Sequence, residues 1–143
     1  MDEKEFKKWI EEANSTFKAI DSDLKDGNFN WACFKAQQAA EFALKAFLWG
    51  CRKPAFGHSL LGLLTEFNKL KIEIPPRIRE FCARLDKFYV PTRYANQWLE
   101  GAPHTYFTEK EAEEAKRMAK EVIRFVKRCW KLLKKKRKKR RSY

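Results

Sequence analysis

A chain of 143 residues has the length of one domain and can bury a sizeable core. With 44% hydrophobic and 15% aromatic residues it is no disordered polymer, and no run of about 18 apolar residues offers a membrane span. The net charge of +13 points to anionic partners, yet residues 131–143 hold nine of the 32 Lys and Arg and no acid, so the remaining 23 nearly balance 19 Asp and Glu.

The N-terminus, MDEKEFKKW, is charged and lacks the apolar centre of a secretory signal, so a cytoplasmic location is expected. Asp2 followed by Glu5 resembles a capping box. Phe6, Trp9, Ile10, Ala13, Phe17, Ile20 and Leu24 then recur every three or four residues, an apolar stripe on a helix to about Lys25. Gly27 suits the left-handed position after that helix, and Asn28 can cap the next.

The second helix is predicted from about Phe29 to Trp49, with Gly50 ending it. Cys33, Ala36, Ala40, Ala43 and Phe47 form its stripe, and the alanines let a neighbouring backbone approach closely. Away from that stripe lie Phe34, Gln38, Phe42 and Lys45. Two phenylalanines are large to leave in water, so a homodimer is expected to cover this face. A short helix over Ser59–Lys69 turns Leu60, Leu61, Leu63, Leu64 and Phe67 mostly inward. Pro75-Pro76 opens a fourth, striped by Ile78, Phe81 and Leu85 and closed by Pro91.

Residues 91–107 show no sustained period and read as a loop. Thr108 and Glu111 form a capping box for the last helix, carrying Ala112, Ala115, Ala119, Val122, Val126, Cys129 and Leu133. If it continued to Lys138 it would be roughly 46 Å long, so its end is expected to project. The expected fold is all-α: an up-and-down antiparallel bundle of four to five helices with a long basic C-terminal helix. Residues 1–133 make the bundle and 134–143 a basic tail.

Cys33, Cys51, Cys82 and Cys129 are dispersed and include no Cys-x-x-Cys pair. They read as small apolar residues in a reducing compartment. No metal site and no cofactor is expected, since there is no Gly-rich phosphate loop, no His-Glu metal pair and no nucleophile elbow.

Three strings, FNWACFKAQQAAEFALKAFL from Phe29, GHSLLGLL from Gly57 and DKFYVPTRY from Asp86, occur in an order and spacing that resembles the HEPN domain (higher eukaryotes and prokaryotes nucleotide-binding). The resemblance implies a small helical bundle that dimerises through the face carrying its polar residues. It also implies nucleotide or RNA as ligand and a minimal nucleotidyltransferase as partner protein, in a toxin–antitoxin-like or regulatory pair. Many members are metal-independent RNases with an Arg, four to six residues, then His. Here Arg93 stands in place, but Trp98, Leu99 and Glu100 occupy the positions of the histidine, and His104 comes eleven residues after Arg93. RNA cleavage is therefore expected to be weak or absent; the alternative is an RNase toxin using Arg93 with His104.

The candidate residues each carry two readings. Arg93 and Tyr94 can hold a phosphate and stack a base, or Arg93 can pair with an acid while Tyr94 packs on the bundle. Gln38, Glu41 and Lys45 form either a solvated helix face or the border of a binding cleft. His58 either contacts a phosphate or, the favoured reading, caps the helix that follows it. His104 is a general acid or base, or simply an exposed loop residue, the favoured reading. The tail, Lys134, Lys135, Lys136, Arg137, Lys138, Lys139, Arg140 and Arg141, is read as a non-specific RNA-contacting arm in preference to a dipole-compensating helix end or a membrane anchor.

Overall fold

Five helices and two single 3₁₀ turns make up the fold: α1 (Glu3–Lys25), α2 (Phe29–Gly50), α3 (Leu60–Lys69), α4 (Pro76–Asp86), the turns Ala95–Gln97 and Pro103–Thr105, and α5 (Glu109–Arg141). These belong to a computed structural model that describes residues 1–142, and no strand occurs among them. Tyr143, the last residue of the expected tail, lies outside the described residues. The architecture is the expected all-α, up-and-down antiparallel bundle.

At the start of α1 only half of the predicted capping box forms. Asp2 accepts from the Glu5 amide at 3.0 Å. The Glu5 carboxylate, however, turns to Lys8 and to Trp9 Nε1, at 3.0 and 3.2 Å. The Asp2 amide instead donates to the Gly50 carbonyl at 2.7 Å, which stitches the chain start to the end of α2. Gly27 adopts φ +75°, as its position after α1 requires. Asn28 occupies the N-cap of α2, but its side chain makes no capping bond.

Helix α2 is the central element, with fifteen of its 22 residues buried. Its alanines face α1 and α5 closely enough that the core is built as much from backbone proximity as from large side chains. Gly50 belongs to the helix, and the chain reverses only at Arg52, with φ 59°. The glycine is needed for another reason. A Cβ there would lie 2.6 Å from the Trp130 ring, which stacks on Phe6 with centroids 4.2 Å apart. At this knot α1, α2 and α5 are fastened together.

Ser59 caps α3 by accepting from the Gly62 amide, and Leu61 lies at the half-exposed edge rather than inside. Helix α4 ends at Asp86, short of Pro91, and the Asp86 carboxylate serves α3: it accepts from the amides of Leu60 (2.7 Å) and Leu61 (3.2 Å). The aperiodic segment after α4 is held by aromatic contacts. Trp98 stacks on Tyr106 at 3.9 Å, bonds the Pro91 carbonyl through Nε1 at 2.9 Å, and meets the edge of Phe107.

The complete capping box of Thr108 and Glu111 starts α5, which then runs unbroken for 33 residues, about 50 Å. The basic stretch is thus helix rather than a separate tail. Trp130 is the last buried residue, and Leu133 still packs on the core. All four cysteines are free thiols. Burial pushes Cys33 and Cys82 up to about 12 and Cys129 up to about 11. No described helix is long and apolar enough to cross a membrane.

Candidate functional site

Six polar or charged residues are buried among the described residues, and five of them, Asn30, Gln37, Glu41, Lys45 and Thr92, meet along one side of α2. Removing such groups from water is unfavourable, and an apolar replacement is often no less stable, so a cluster of this kind points to a requirement for geometry. Glu41, only 2% exposed, is its centre. Its carboxylate accepts from Lys45 Nζ at 3.1 Å, Gln38 Nε2 at 3.3 Å and Gln37 Nε2 at 3.5 Å. The fourth partner comes from the chain before α3: His58 Nδ1 lies 3.2 and 3.3 Å from the two Glu41 oxygens.

His58 is therefore not the cap of α3, the reading favoured from sequence. Ser59 and Asp86 share that task, and Asp86 fills the anion position at the helix start. The imidazole instead bonds Glu41 and stacks on Tyr89, centroids 4.5 Å apart and planes within 19°. Gln37 Nε2 holds the His58 carbonyl at 2.9 Å, so both the backbone and the ring of this residue are fixed from α2.

Tyr89 also carries Arg93. The guanidinium carbon lies 4.6 Å from its ring centroid, 4.1 Å from that of Phe34 and 4.9 Å from that of Tyr94. Arg93 Nε donates to the Tyr89 carbonyl at 2.9 Å, and no ion pair with an acid forms among the described residues. The segment is positioned by Asn30 Nδ2, which donates to the Thr92 carbonyl at 3.0 Å, and by Thr92 Oγ1, which donates to the Phe88 carbonyl at 2.6 Å. The acid-paired reading of Arg93 is replaced by a cation cradled on aromatic faces. Tyr94 is 49% exposed rather than packed on the bundle. A shallow groove lined by His58, Ser59, Asp86, Tyr89 and Pro91 opens between the start of α3 and the segment after α4, and neither Arg93 nor Tyr94 lines it.

The remaining candidates fall elsewhere. His104 is exposed on the turn Pro103–Thr105 and shares no hydrogen bond or aromatic contact with Arg93 among the described residues. Trp98, at the spacing of the family's histidine, is committed to holding the segment in shape. Gln38, Glu41 and Lys45 are not a solvated face, since Glu41 and Lys45 are buried. Phe34 and Phe42 do not stand free either: Phe42 tilts against Trp9, and Phe34 meets Trp31 and Tyr89. The large apolar side chains left exposed among the described residues include Trp31, Tyr94, Leu99 and Leu132, with Phe56 at 79% exposure.

The HEPN domain model matches residues 6–129, most of the described bundle including this cluster. The chain belongs to the HEPN domain family. Three solved structures resemble it along nearly their whole length. A protein from Thermus thermophilus is 36% identical over 86% of this chain and 96% of its own, with a TM-score of 0.83. An archaeal HEPN homologue is 33% identical over 85% and 94%, with a TM-score of 0.72. A HEPN domain protein from Thermotoga maritima is 30% identical over 86% and 97%, with a TM-score of 0.70. Comparison with curated proteins gives no significant match.

The HEPN match stops before Lys134, so the basic end of α5 extends beyond it. Of the eight cations there, Lys134 lies 3.5 Å from Glu3 in an exposed pair, and the other seven have no acidic partner among the described residues. A groove between Met1 and Glu3 and this part of α5 is lined by Lys131, Lys134, Lys135 and Lys138. It is larger than the one at His58, but it offers charge without shaped polar partners.

Sequence reasoning passed over Asn30, Gln37, Tyr89 and Thr92. Tyr89 and Thr92 lie in the DKFYVPTRY string, and Gln37 precedes a residue already singled out. Only the packing of the segment after α4 onto α2 reveals that they belong together.

Proposed function

We propose that this HEPN protein binds a nucleotide or RNA in the cleft between α2, the start of α3 and the segment around Arg93. The observation that carries this is the Arg93 guanidinium, held over Phe34, Tyr89 and Tyr94 with no acid to neutralise it. A planar cation on an aromatic platform suits a phosphate, and the exposed Tyr94 ring beside it suits a base. The basic end of α5 adds sequence-independent attraction for a polyanion.

The protein acts in this reading as a cytoplasmic homodimer. Trp31 and Tyr94 flank the cleft and are left exposed by a single copy, which supports a seam there. A minimal nucleotidyltransferase is the proposed partner, in a toxin–antitoxin-like or regulatory pair, as family membership suggests. The RNase reading with Arg93 and His104 draws no support from the geometry, because the two residues share no contact among the described residues.

Arg93→Ala is the test. Affinity for a short RNA should fall about tenfold, the effect of one charge-assisted hydrogen bond, while the melting curve changes little. Unchanged affinity would move the binding surface away from this cleft. Light scattering checks the assembly, and a monomer mass at micromolar concentration would refute the dimer.

A further inference from the structure

We infer that the basic end of α5 is a duplex-DNA arm, which enters the major groove of B-form DNA and pairs with the phosphates of both strands. The inference is independent of the Arg93 cleft and concerns a segment that lies beyond the matched HEPN domain.

The distribution of the charge selects among polyanions. Lys134 to Arg141 are eight consecutive cations in unbroken helix, and successive side chains step about 100° around a helix axis. Positive charge therefore points in every direction from this segment, with seven of the residues exposed and Arg137 half-buried. A helix lying on a membrane surface needs an apolar side, and these eight residues supply none. A partner protein would meet one side of the helix and leave the other cations uncompensated. A nucleic-acid groove, by contrast, has phosphates along both walls.

The run is not explained from within the molecule. Compensation of the helix dipole is confined to the last turn, which leaves Lys134 to Arg137 without that role. Only Lys134 has an acidic partner among the described residues, Glu3 at 3.5 Å. Like charges four residues apart on a helix repel, as Lys134 and Lys138 or Lys136 and Arg140 do here, and bound phosphates relieve that repulsion.

Dimensions favour B-form DNA. An α-helix with its side chains is about 10–12 Å across, and the B-form major groove is about 12 Å wide and about 8.5 Å deep. Beyond Leu133, which still packs on the core, α5 continues for eight residues, about 12 Å, more than that depth. Apart from Met1 and Glu3, only residues of α5 itself line the grooves along this end, so little of the bundle obstructs entry. The major groove of A-form RNA is deep and narrow and does not admit a helix in this way, and a single strand has no second wall. Lys and Arg on phosphates carry no sequence information, so the arm distinguishes the form of the duplex rather than its bases.

The test uses the full chain with a DNA duplex of about two helical turns, an RNA duplex of the same sequence and one DNA strand alone, read by fluorescence anisotropy at about 0.15 M salt. The DNA duplex should bind about tenfold tighter than either alternative. Bound protein should shield guanine N7, a major-groove atom, from methylation by dimethyl sulfate, while adenine N3 in the minor groove stays reactive. Lys136→Pro separates helix from charge: it removes the same cation as Lys136→Ala but breaks the helix inside the run. Position 136 lies past the last core residue, so both variants keep the bundle. The proline variant should lose the duplex preference and the alanine variant should retain it. If the RNA duplex or the single strand binds as tightly as the DNA duplex, if guanine N7 stays reactive, or if the two variants behave alike, the groove inference is overturned and only a diffuse field remains. Arg93→Ala should leave the duplex preference unchanged, so failure here and failure of the cleft reading are told apart.

Discussion

The polar cluster on α2 and the basic end of α5 are both rich in polar groups, yet they are built in opposite ways. In the cluster the buried Glu41, Lys45 and Gln37 and the half-exposed His58 bond one another, and each position is fixed by at least one neighbour. At the end of α5 eight cations line a helix that has left the core, with a single exposed pair to Glu3. The first arrangement fixes geometry and can discriminate between ligands. The second sets a field, which attracts any polyanion and is weakened by salt. One molecule thus carries a fixed polar cluster and a diffuse field at different places along its length.

The sharpest way to break this comparison is to remove Glu41. Glu41→Ala leaves Lys45 buried without its carboxylate, and loss of one partner of a buried pair destabilises by about 3–5 kcal/mol. Urea unfolding should show it, whereas Lys135→Ala or Lys138→Ala should stay within about 0.5 kcal/mol. A comparable small effect at Glu41 would mean that the cluster is looser than its distances imply.

Gly50→Ala tests the knot from which the basic helix departs. The added methyl meets the Trp130 ring at 2.6 Å and should destabilise by about 1–3 kcal/mol through overpacking. Circular dichroism should report the shift during thermal melting. Wild-type stability would show that the ring can move aside freely.

Removing residues 134–143 should lower non-specific RNA affinity by about one to two decades at low salt. The slope of log K against log salt should lessen by about 0.7 for each phosphate of a single strand that the shortened chain no longer neutralises. Folding should persist, because Trp130 and Leu133 remain. The same slope in the shortened chain would place the polyanion surface on the bundle.

One further effect is confined to alkaline pH. The thiols of Cys33 and Cys82 are pushed by burial to about 12 from the ordinary 9.0, so the folded state retains protons that the unfolded chain releases. Their contribution is fully present below about pH 9 and is lost as the pH rises towards 12. Denaturation midpoints should fall across that window. At neutral pH iodoacetamide should modify the part-exposed Cys51 and Cys129 before the buried pair. One common rate for all four would contradict the burial.

Much of the bundle was legible because its signals are local. The stripe of α1, the alanine stripe of α2 and the Thr108–Glu111 box act within a turn or two of the residues they organise. The misreadings share a different cause. Glu5 was drawn to Trp9, Gly50 is required by Trp130, and Asp86 took the capping task given to His58. Each involves a competing partner whose choice depends on side-chain reach or on another helix.

The sequence by itself determined the helices, their order and the concentration of charge at the C-terminus, because apolar period, capping chemistry and charge density are properties of short windows. It also carried the strings by which the HEPN family is recognised. The tertiary structure decided which histidine packs beside Arg93. His104, only eleven residues from Arg93 in sequence, is exposed on a separate turn, whereas His58, thirty-five residues away, shares the Tyr89 ring with Arg93. The physical reason is that α2 binds both neighbours of that ring, through Glu41 to His58 and through Asn30 to Thr92, and hydrogen bonds of that sequence separation exist only once the bundle has closed.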